Sequence, residues 1–188
     1  MQPARRAGSL SRMNAGNPAV RRPEPSEHAP FYAGYVAKVP PGDVRAFLRA
    51  QREDLTGLLS GLPRERWDHR YAPGKWTLRE VVGHILDGEW VFASRTMHFA
   101  RGNPGPLPSM DQDAFLAHGN YGARPLSSLV RERADLRAAG LAQYDSFDAE
   151  AFERRGVASG HEITVRALLY VIGGHAQHHL DVLRERYL

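Results

Sequence analysis

The chain has 188 residues, of which 42% are apolar, a composition typical of a globular domain rather than of a disordered or membrane-spanning chain. It contains no cysteine, which excludes disulfides, thiolate metal ligands and a cysteine nucleophile. Any metal ion would therefore be bound through His, Asp or Glu, and any reacting thiol would come from a second substrate.

The positive charge lies mainly at the N-terminus. The formal net charge is +4, and residues 1–27 carry five arginines against Glu24 and Glu27, which leaves only +1 for the rest of the chain. A nucleic-acid-binding domain usually concentrates Lys and Arg on one face of its folded part, so we predict no nucleic-acid partner. No apolar run approaches the roughly 20 residues that span a bilayer, and the N-terminal segment lacks the apolar stretch of a secretory signal. We therefore expect a cytoplasmic protein with no membrane partner.

Residues 1–30 are rich in Arg, Pro, Ser and Gly and show no apolar periodicity, which predicts a disordered basic tail in front of a single domain over residues 40–188. The first helix is predicted to begin at Asp43 and to end at Gly61. Its apolar residues recur at spacings of three, four and seven, the pattern of one helix face: Val44, Phe47, Leu48, Leu55, Leu58 and Leu59.

The second helix has the clearest start signal. Thr77 and Glu80 match a capping box, in which each side chain satisfies a free backbone N–H at the other end of the first turn. The apolar stripe that follows runs to about Gly102. Three prolines exclude a helix over residues 101–110, and residues 111–123 fit a short helical turn inside a long crossover.

Two more helices complete the pattern. The third is predicted from Pro125, a residue favoured in the first helical turn, to Tyr144, and the fourth from the capping residue Thr164 to Tyr187. Residues 146–163 are predicted to form a short turn and a glycine-punctuated loop, with no convincing strand. Four amphipathic helices with one long crossover between the second and the third describe an all-α protein, a four-helix bundle.

The fourth predicted helix carries the sequence GGHAQHH over residues 173–179. His175 and His179 are four residues apart, so they share one helix face, and they continue its apolar stripe, which places both imidazoles inside the bundle. Burying two imidazoles without partners costs free energy because each has a donor and an acceptor. A shared metal ion satisfies them, and His84, on the broad apolar face of the second helix, is the candidate for a third nitrogen ligand.

The spacing alone leaves an alternative open, because a core histidine is usually a satisfied polar group and an H-x-x-x-H pair often occurs by chance. An all-imidazole set favours zinc, nickel, copper or iron over magnesium or calcium, which prefer oxygen ligands. Ala176 stands where an H-E-x-x-H metalloprotease helix has its glutamate base, which excludes that motif. His178 points about 100° away from the pair and is predicted at the helix surface or in a subunit contact.

Four further residues are candidates for the surroundings of the site. Asp87, three residues after His84, is predicted to accept a hydrogen bond from the second nitrogen of a ligand, although a solvated helix carboxylate fits the sequence equally well. Gln112, Asp113 and Tyr121, in the long crossover, are predicted to line the pocket mouth, since long loops in compact domains are often functional. The sequence assigns no catalytic residue.

Four segments together resemble the DinB/YfiT-like superfamily, and the resemblance covers roughly residues 40–188. It implies a four-helix bundle whose metal ion is held by one histidine of the second helix and by an H-x-x-x-H pair of the fourth, the positions of His84, His175 and His179. The segments are GKWTLREVVGHILDGE (74–89), MDQDAF (110–115), ITVRALL (163–169) and GHAQHHLDVLRERY (174–187).

The resemblance also implies an activity. Characterised members of the superfamily include metal-dependent S-transferases that use a low-molecular-weight thiol, such as bacillithiol or mycothiol, and mycothiol-dependent isomerases. We therefore interpret the chain as a divalent-metal-dependent enzyme, with zinc or nickel, that conjugates a small thiol to an electrophile. The alternative is a non-catalytic, metal-stabilised bundle that binds a small ligand or a protein partner. A homodimer is expected from the resemblance and from an apolar bundle surface.

Overall fold

The structure, a computed structural model, describes residues 19–188, except the side chains of Glu53 and Leu55. Within that range the chain forms seven α-helices, one two-stranded hairpin and several short 3-10 turns. The elements are α1 Ala33–Lys38, α2 Val44–Leu59, α3 Leu78–Ala100, α4 Gln112–His118, α5 Leu126–Asp145, α6 Ala149–Glu153, β1 Arg155–Ala158, β2 His161–Thr164 and α7 Val165–Arg186.

The four long helices α2, α3, α5 and α7 form the predicted bundle. Helix α3 packs against α5 and α7, and α2 packs against the same two helices. The long crossover from α3 to α5 contains the short helix α4 and a 3-10 turn at Tyr121–Ala123. The all-α bundle with a long crossover is thus confirmed. Among the described residues, no helix combines the length and the apolar character that crossing a bilayer requires.

Side-chain caps begin three of the four bundle helices where the sequence predicts them. Asp43 accepts a hydrogen bond from the backbone N of Arg45 at 3.0 Å, and Thr164 accepts one from that of Ala167 at 3.1 Å. Thr77 and Glu80 form the predicted capping box, with reciprocal bonds of 3.1 and 2.6 Å. These caps satisfy backbone N–H groups that have no partner within the helix, and they fix the residue at which each helix begins.

The apolar core consists of two clusters that meet near the middle of the bundle. One contains the N-terminal half of α7 up to Ile172, and the other contains its C-terminal half from Ala176 onward. Along α3 the change from one cluster to the other falls between Leu86 and Phe92. The segment around Gly173–His175 therefore lies at the junction of the two apolar clusters.

The hairpin corrects the prediction that residues 146–163 form only a turn and a loop. Strands β1 and β2 pair antiparallel, from Arg155 opposite Thr164 to Ala158 opposite His161. Ser159 and Gly160 join them with φ angles of +54° and +76°, as a two-residue hairpin turn requires. Gly156 is needed because a Cβ there would lie 2.2 Å from the ring of Phe99. Strands of four residues give too short an alternation to be recognised in the sequence.

The N-terminal segment corrects a second prediction. A disordered tail was expected over residues 1–30; residues 1–18 lie outside the described range, but residues 19–30 are packed against the domain. Glu27 is 2% exposed, and its carboxylate accepts hydrogen bonds from Arg166 at 2.8 Å and from Thr164 at 2.9 Å. A buried ion pair, the apolar contacts of Val20 and Ala29, and hydrogen bonds from Arg22 hold this segment. None of these contacts forms a regular apolar period, so the sequence did not indicate an ordered segment.

Helix α1 was also not predicted, and it brings the start of the domain ahead of residue 40. It packs along α7. Gly174 permits this contact, because a Cβ at that position would lie 1.9 Å from the carbonyl oxygen of Tyr35. The glycines of the GGHAQHH segment therefore allow close approach of neighbouring elements, as Gly173 also does where its Cβ would lie 3.0 Å from Phe47.

Candidate metal centre

Three histidines from two helices meet inside the bundle. His84 of α3 and His175 and His179 of α7 each place one ring nitrogen so that all three nitrogens lie within 4.8 Å of one another. The Nε2 atoms of His84 and His175 are 3.0 Å apart. His84 and His175 are buried, and His179 is half-buried. We call these three residues the histidine cluster.

A glycine on α3 makes room for the cluster. A Cβ at Gly88 would lie 2.6 Å from Cε1 of His175, so any larger residue would displace that ring. His84 lies four residues before Gly88, which places both on the face of α3 that packs on α7. The aromatic rings of Trp76, Tyr35 and Phe92 surround the cluster, with centroid separations of 5.0 Å from His84 and of 5.5 and 5.6 Å from His175.

The three imidazoles are electrically neutral at pH 7. Burial lowers the pKa of His84 to about 4, and burial together with the charge of His84 lowers the pKa of His179 to about 3. Burial, followed by the charges of the other histidines, also lowers the pKa of His175 well below its usual range. The neutral form is the one that binds metal ions.

The donors of the cluster fit a transition-metal ion. Nε2 of His179 is buried and has no hydrogen-bond partner within residues 19–188, and the Nε2 atoms of His84 and His175 face each other. Nitrogens bound to one tetrahedral zinc ion at 2.0–2.1 Å lie roughly 3.3 Å apart, close to the 3.0 Å between His84 and His175. An uncharged, all-nitrogen donor set suits a transition-metal ion such as zinc, nickel, copper or iron rather than magnesium or calcium.

Residues of the cluster line two cavities. The first, of about 360 Å³, is lined by His179 and His178 together with Lys75 and Asp113, and we call it the lysine-side cavity. The second, of about 270 Å³, is the arginine-side cavity, and its lining includes His84, His175, Tyr35, Phe92 and Arg95. Gln112 lines both cavities. The cluster therefore borders two neighbouring small-molecule spaces.

The crossover residues predicted at the pocket mouth divide into two groups. Gln112 and Asp113, at the start of α4, line the cavities beside the cluster. Tyr121 lies elsewhere: it is buried against α3, where a Cβ at Gly83 would lie 2.6 Å from its ring. Tyr121 lines neither of these two cavities, because its ring fills the space that Gly83 leaves on α3.

Asp87 does not have the predicted partner. Its carboxylate accepts a hydrogen bond from the hydroxyl of Tyr121 instead of from a ring nitrogen of the cluster. This hydrogen bond directs the carboxylate toward the crossover, which carries Tyr121. Burial raises the pKa of Asp87, although the hydrogen bond from Tyr121 acts in the opposite direction. Asp87 and Tyr121 thus fasten the crossover to α3.

The sequence missed several residues beside the cluster. His178, predicted at the surface or in a subunit contact, is half-buried, contacts the ring of Tyr35 at 5.7 Å and lines the lysine-side cavity. Arg95 and Tyr35 were not singled out at all. A signal for Arg95 does exist, since an arginine three residues after Phe92 and four before Phe99 lies on the apolar stripe of α3. Tyr35 belongs to α1, which the sequence did not predict.

A helical bundle in which two helices share three inward-facing histidines is the class of protein that this fold and this site define. The sequence profile of the DinB superfamily matches residues 11–183, so the chain belongs to that superfamily. The resemblance noted from the sequence is thus confirmed.

Solved structures and curated proteins add two likenesses. The chain is similar to YfiT from Bacillus subtilis, described as "a probable metal-dependent hydrolase with an unusual four-helix bundle topology", with a TM-score of 0.69, 17% identity, and 87% of this chain and 92% of that chain covered. At that identity the likeness shows the fold. Two uncharacterized proteins of Mycobacterium tuberculosis, strains CDC 1551 / Oshkosh and ATCC 25618 / H37Rv, are each 47% identical over 47 residues. That segment spans 24% of this chain and 18% of each relative.

Proposed function

We propose that His84, His175 and His179 bind one divalent transition-metal ion, zinc or nickel, and that the protein is a transferase that conjugates a low-molecular-weight thiol to an electrophile. The observation that carries this proposal is the position of the histidine cluster, which is uncharged and lies between two cavities. Three nitrogens leave the fourth position of a tetrahedral ion for a substrate.

The chemistry follows from that open position. His84, His175 and His179 would hold the ion, which would lower the pKa of a thiol bound to it, as it would for water. The thiol proton must then leave the site, and His178 lines the lysine-side cavity with an imidazole that can accept it. The sulfur forms its new bond to the electrophilic carbon and displaces the leaving group or adds across a double bond. Because the chain has no cysteine, no internal thiolate competes.

The two cavities support a reaction of two substrates. Lys75 and Asp113 both line the cavity beside His179, so this side offers charged partners of both signs to the polar groups of a thiol. The arginine-side cavity is largely aromatic and adjoins His84 and His175, so it suits the electrophile. Gln112 borders both and has an amide that can hydrogen-bond to either substrate.

A second candidate is hydrolysis, because the chain shares its fold with a protein described as a probable metal-dependent hydrolase. Water would then take the place of the thiol in the same site. The third candidate is a non-catalytic bundle, in which the ion only stabilises the fold.

The test uses protein loaded with one equivalent of zinc or nickel. It is incubated with bacillithiol, mycothiol or free cysteine and with 1-chloro-2,4-dinitrobenzene, and the conjugate is quantified by mass spectrometry. We expect conjugation above the uncatalysed rate with at least one thiol, abolished in His84→Ala. In His178→Ala the metal should be kept while the conjugation rate falls. Absence of conjugation with every thiol would contradict the transferase, and cleavage of a nitrophenyl ester instead would favour the hydrolase.

A further inference from the structure

Arg95 brings a positive charge into the arginine-side cavity. Its side chain is 3% exposed, and its guanidinium lies 5.6 Å above the ring of Phe92, which also lines that cavity. It donates hydrogen bonds to the hydroxyls of Tyr32 at 3.4 Å and Ser159 at 3.0 Å and to the carbonyl oxygen of Pro108 at 2.7 Å. Tyr32 and Ser159 line the same cavity as Arg95. Arg95 and Pro108 also line a neighbouring cavity.

All three of these acceptors are uncharged. Within residues 19–188, the ion pairs join carboxylates to other arginines or to Lys38, and none of them includes Arg95. Burial raises the pKa of Tyr32, so its phenol does not supply a negative charge at neutral pH. A guanidinium has five N–H donors and keeps its charge in proteins. A buried charge of this kind is costly unless an anion pairs with it.

The distance from Arg95 to the histidine cluster suits one compact molecule. The guanidinium carbon is 5.6 Å from the centre of the Phe92 ring, and that ring is 5.6 Å from the ring of His175. These two separations set an upper limit of about 11 Å between the guanidinium carbon and the centre of the His175 ring. The walls between them are aromatic and include Tyr35 as well as Phe92.

We propose that Arg95 binds the carboxylate of a small aromatic acid, whose opposite end then lies at the histidine cluster. This inference rests on the proposed function in one respect, that the acid is the electrophilic substrate. The carboxylate replaces none of the existing contacts of Arg95, because the guanidinium has donors to spare. The aromatic walls contact the ring of the acid, and the volume of about 270 Å³ limits the ligand to a compact molecule.

A purely structural role for Arg95 makes a different prediction. Its bonds to Pro108 and Ser159 tie α3 to the crossover and to the hairpin. That tie would be indifferent to the charge of a ligand in the cavity. The two roles are therefore separated by comparing a carboxylate with its neutral amide.

The experiment measures the dissociation constants of benzoate and benzamide by calorimetry at fixed ionic strength, on zinc-loaded protein and again after treatment with a chelator. We expect benzoate to bind at least about tenfold more tightly than benzamide, the effect of a charge-assisted hydrogen bond. Arg95→Gln should lose this preference and Arg95→Lys should retain part of it. Arg101→Gln, the same change of charge at the exposed residue that follows the same helix, should keep all of it, with thermal melting as the check that each variant is folded.

Three outcomes would overturn the inference: no preference in the wild type, an undiminished preference in Arg95→Gln, or a preference that disappears with the chelator, which would place the carboxylate on the metal. The site for the acid and the transferase can also fail separately. A preference that depends on Arg95, in protein that conjugates no thiol, would leave the carboxylate site standing without the proposed reaction. Conjugation of a thiol without a preference for benzoate would support the transferase and contradict the carboxylate site at Arg95.

Discussion

Two buried polar clusters lie close together in the bundle and differ in how their groups are satisfied. In the first, the carboxylate of Glu89 binds the guanidinium of Arg137 through two hydrogen bonds of 2.5 and 2.6 Å. Arg137 also donates to Gln51, and Gln51 donates to the carbonyl oxygen of Gly173. This ion-pair network joins all four bundle helices. The histidine cluster begins two residues further along α7 but has buried nitrogens without hydrogen-bond partners among the described residues.

The ion-pair network and the histidine cluster differ in role: the first stabilises the fold and the second is suited to binding. Groups that satisfy one another inside a bundle have no capacity left for a ligand, and their role is to hold the helices together. Buried polar groups that are held rigid but lack hydrogen-bond partners are available to bind a ligand. Arg133 is the exception within the network, because its nearest carboxylate oxygen on Glu89 is 3.7 Å away. Burial, followed by the charge of Arg137, lowers the pKa of Arg133 to about 9, so it stays protonated at pH 7.

The largest expected effect comes from breaking the ion-pair network. Glu89→Gln leaves Arg137 and Arg133 buried without a counter-ion, which should cost about 3–5 kcal/mol of the free energy of unfolding. The control is Glu132→Gln, which breaks the half-exposed pair of Glu132 with Arg124 and should cost about 0–1 kcal/mol. Urea denaturation at pH 7 measures both. Equal effects would mean that the network is not structural.

The next effect concerns Glu27, a second satisfied buried carboxylate. Burial alone would raise its pKa, but the hydrogen bonds from Arg166, the backbone of Glu24 and Thr164 outweigh this and lower the pKa to about 2. A carboxylate with a lowered folded-state pKa stabilises the fold above the unfolded-state value of 4.5, and that stability is lost as the pH falls toward 2. The shift corresponds to about 3 kcal/mol.

Glu27→Gln should therefore lower the melting temperature at pH 6, and the difference from the wild type should shrink between pH 4.5 and pH 2. Scanning calorimetry across that range measures it. A difference that does not change with pH would show that residues 19–30 are not held by this ion pair.

The third effect tests the unsatisfied cluster. Zinc at a free concentration of about 100 times its dissociation constant should stabilise the wild type by about 2.7 kcal/mol, since the ion binds only the folded state. The same addition of zinc should leave the free energy of unfolding of His175→Ala unchanged. Glu89→Gln should lower the free energy of unfolding without zinc. Zinc should still raise it by the same amount as in the wild type, because that substitution leaves the histidine cluster intact. A zinc increment lost in Glu89→Gln would mean that the two clusters act as one.

The smallest effect concerns the tether of the crossover. Tyr121→Phe removes the hydrogen bond to Asp87 and keeps the ring against Gly83, and it should cost about 1.5 kcal/mol. Its zinc dissociation constant, from competition with a chromophoric chelator, should equal that of the wild type. Weakened zinc binding would mean that Asp87 and Tyr121 support the metal site, as the sequence predicted.

The sequence was sufficient to predict the features that follow from the regular spacing of residues along a helix. The four long helices have apolar stripes, and three of them begin at side-chain caps such as Thr77 and Thr164. His175 and His179 of α7 share a spacing of four on a buried stripe. What it missed depends on contacts between distant segments. Glu27 meets Arg166 across 139 positions and the Tyr121 hydroxyl meets Asp87 across 34, and no local pattern reports either contact. The burial of Arg95 likewise arises from the crossover and the hairpin closing over α3.

The central claim is that the histidine cluster binds one transition-metal ion, and elemental mass spectrometry of tag-free protein tests it most directly. Wild type, His175→Ala and His178→Ala are purified in parallel, and their metal content is measured per chain. We predict about one zinc or nickel ion in the wild type and in His178→Ala, and none in His175→Ala. A wild type that contains no metal and takes up neither zinc nor nickel on addition would contradict the claim.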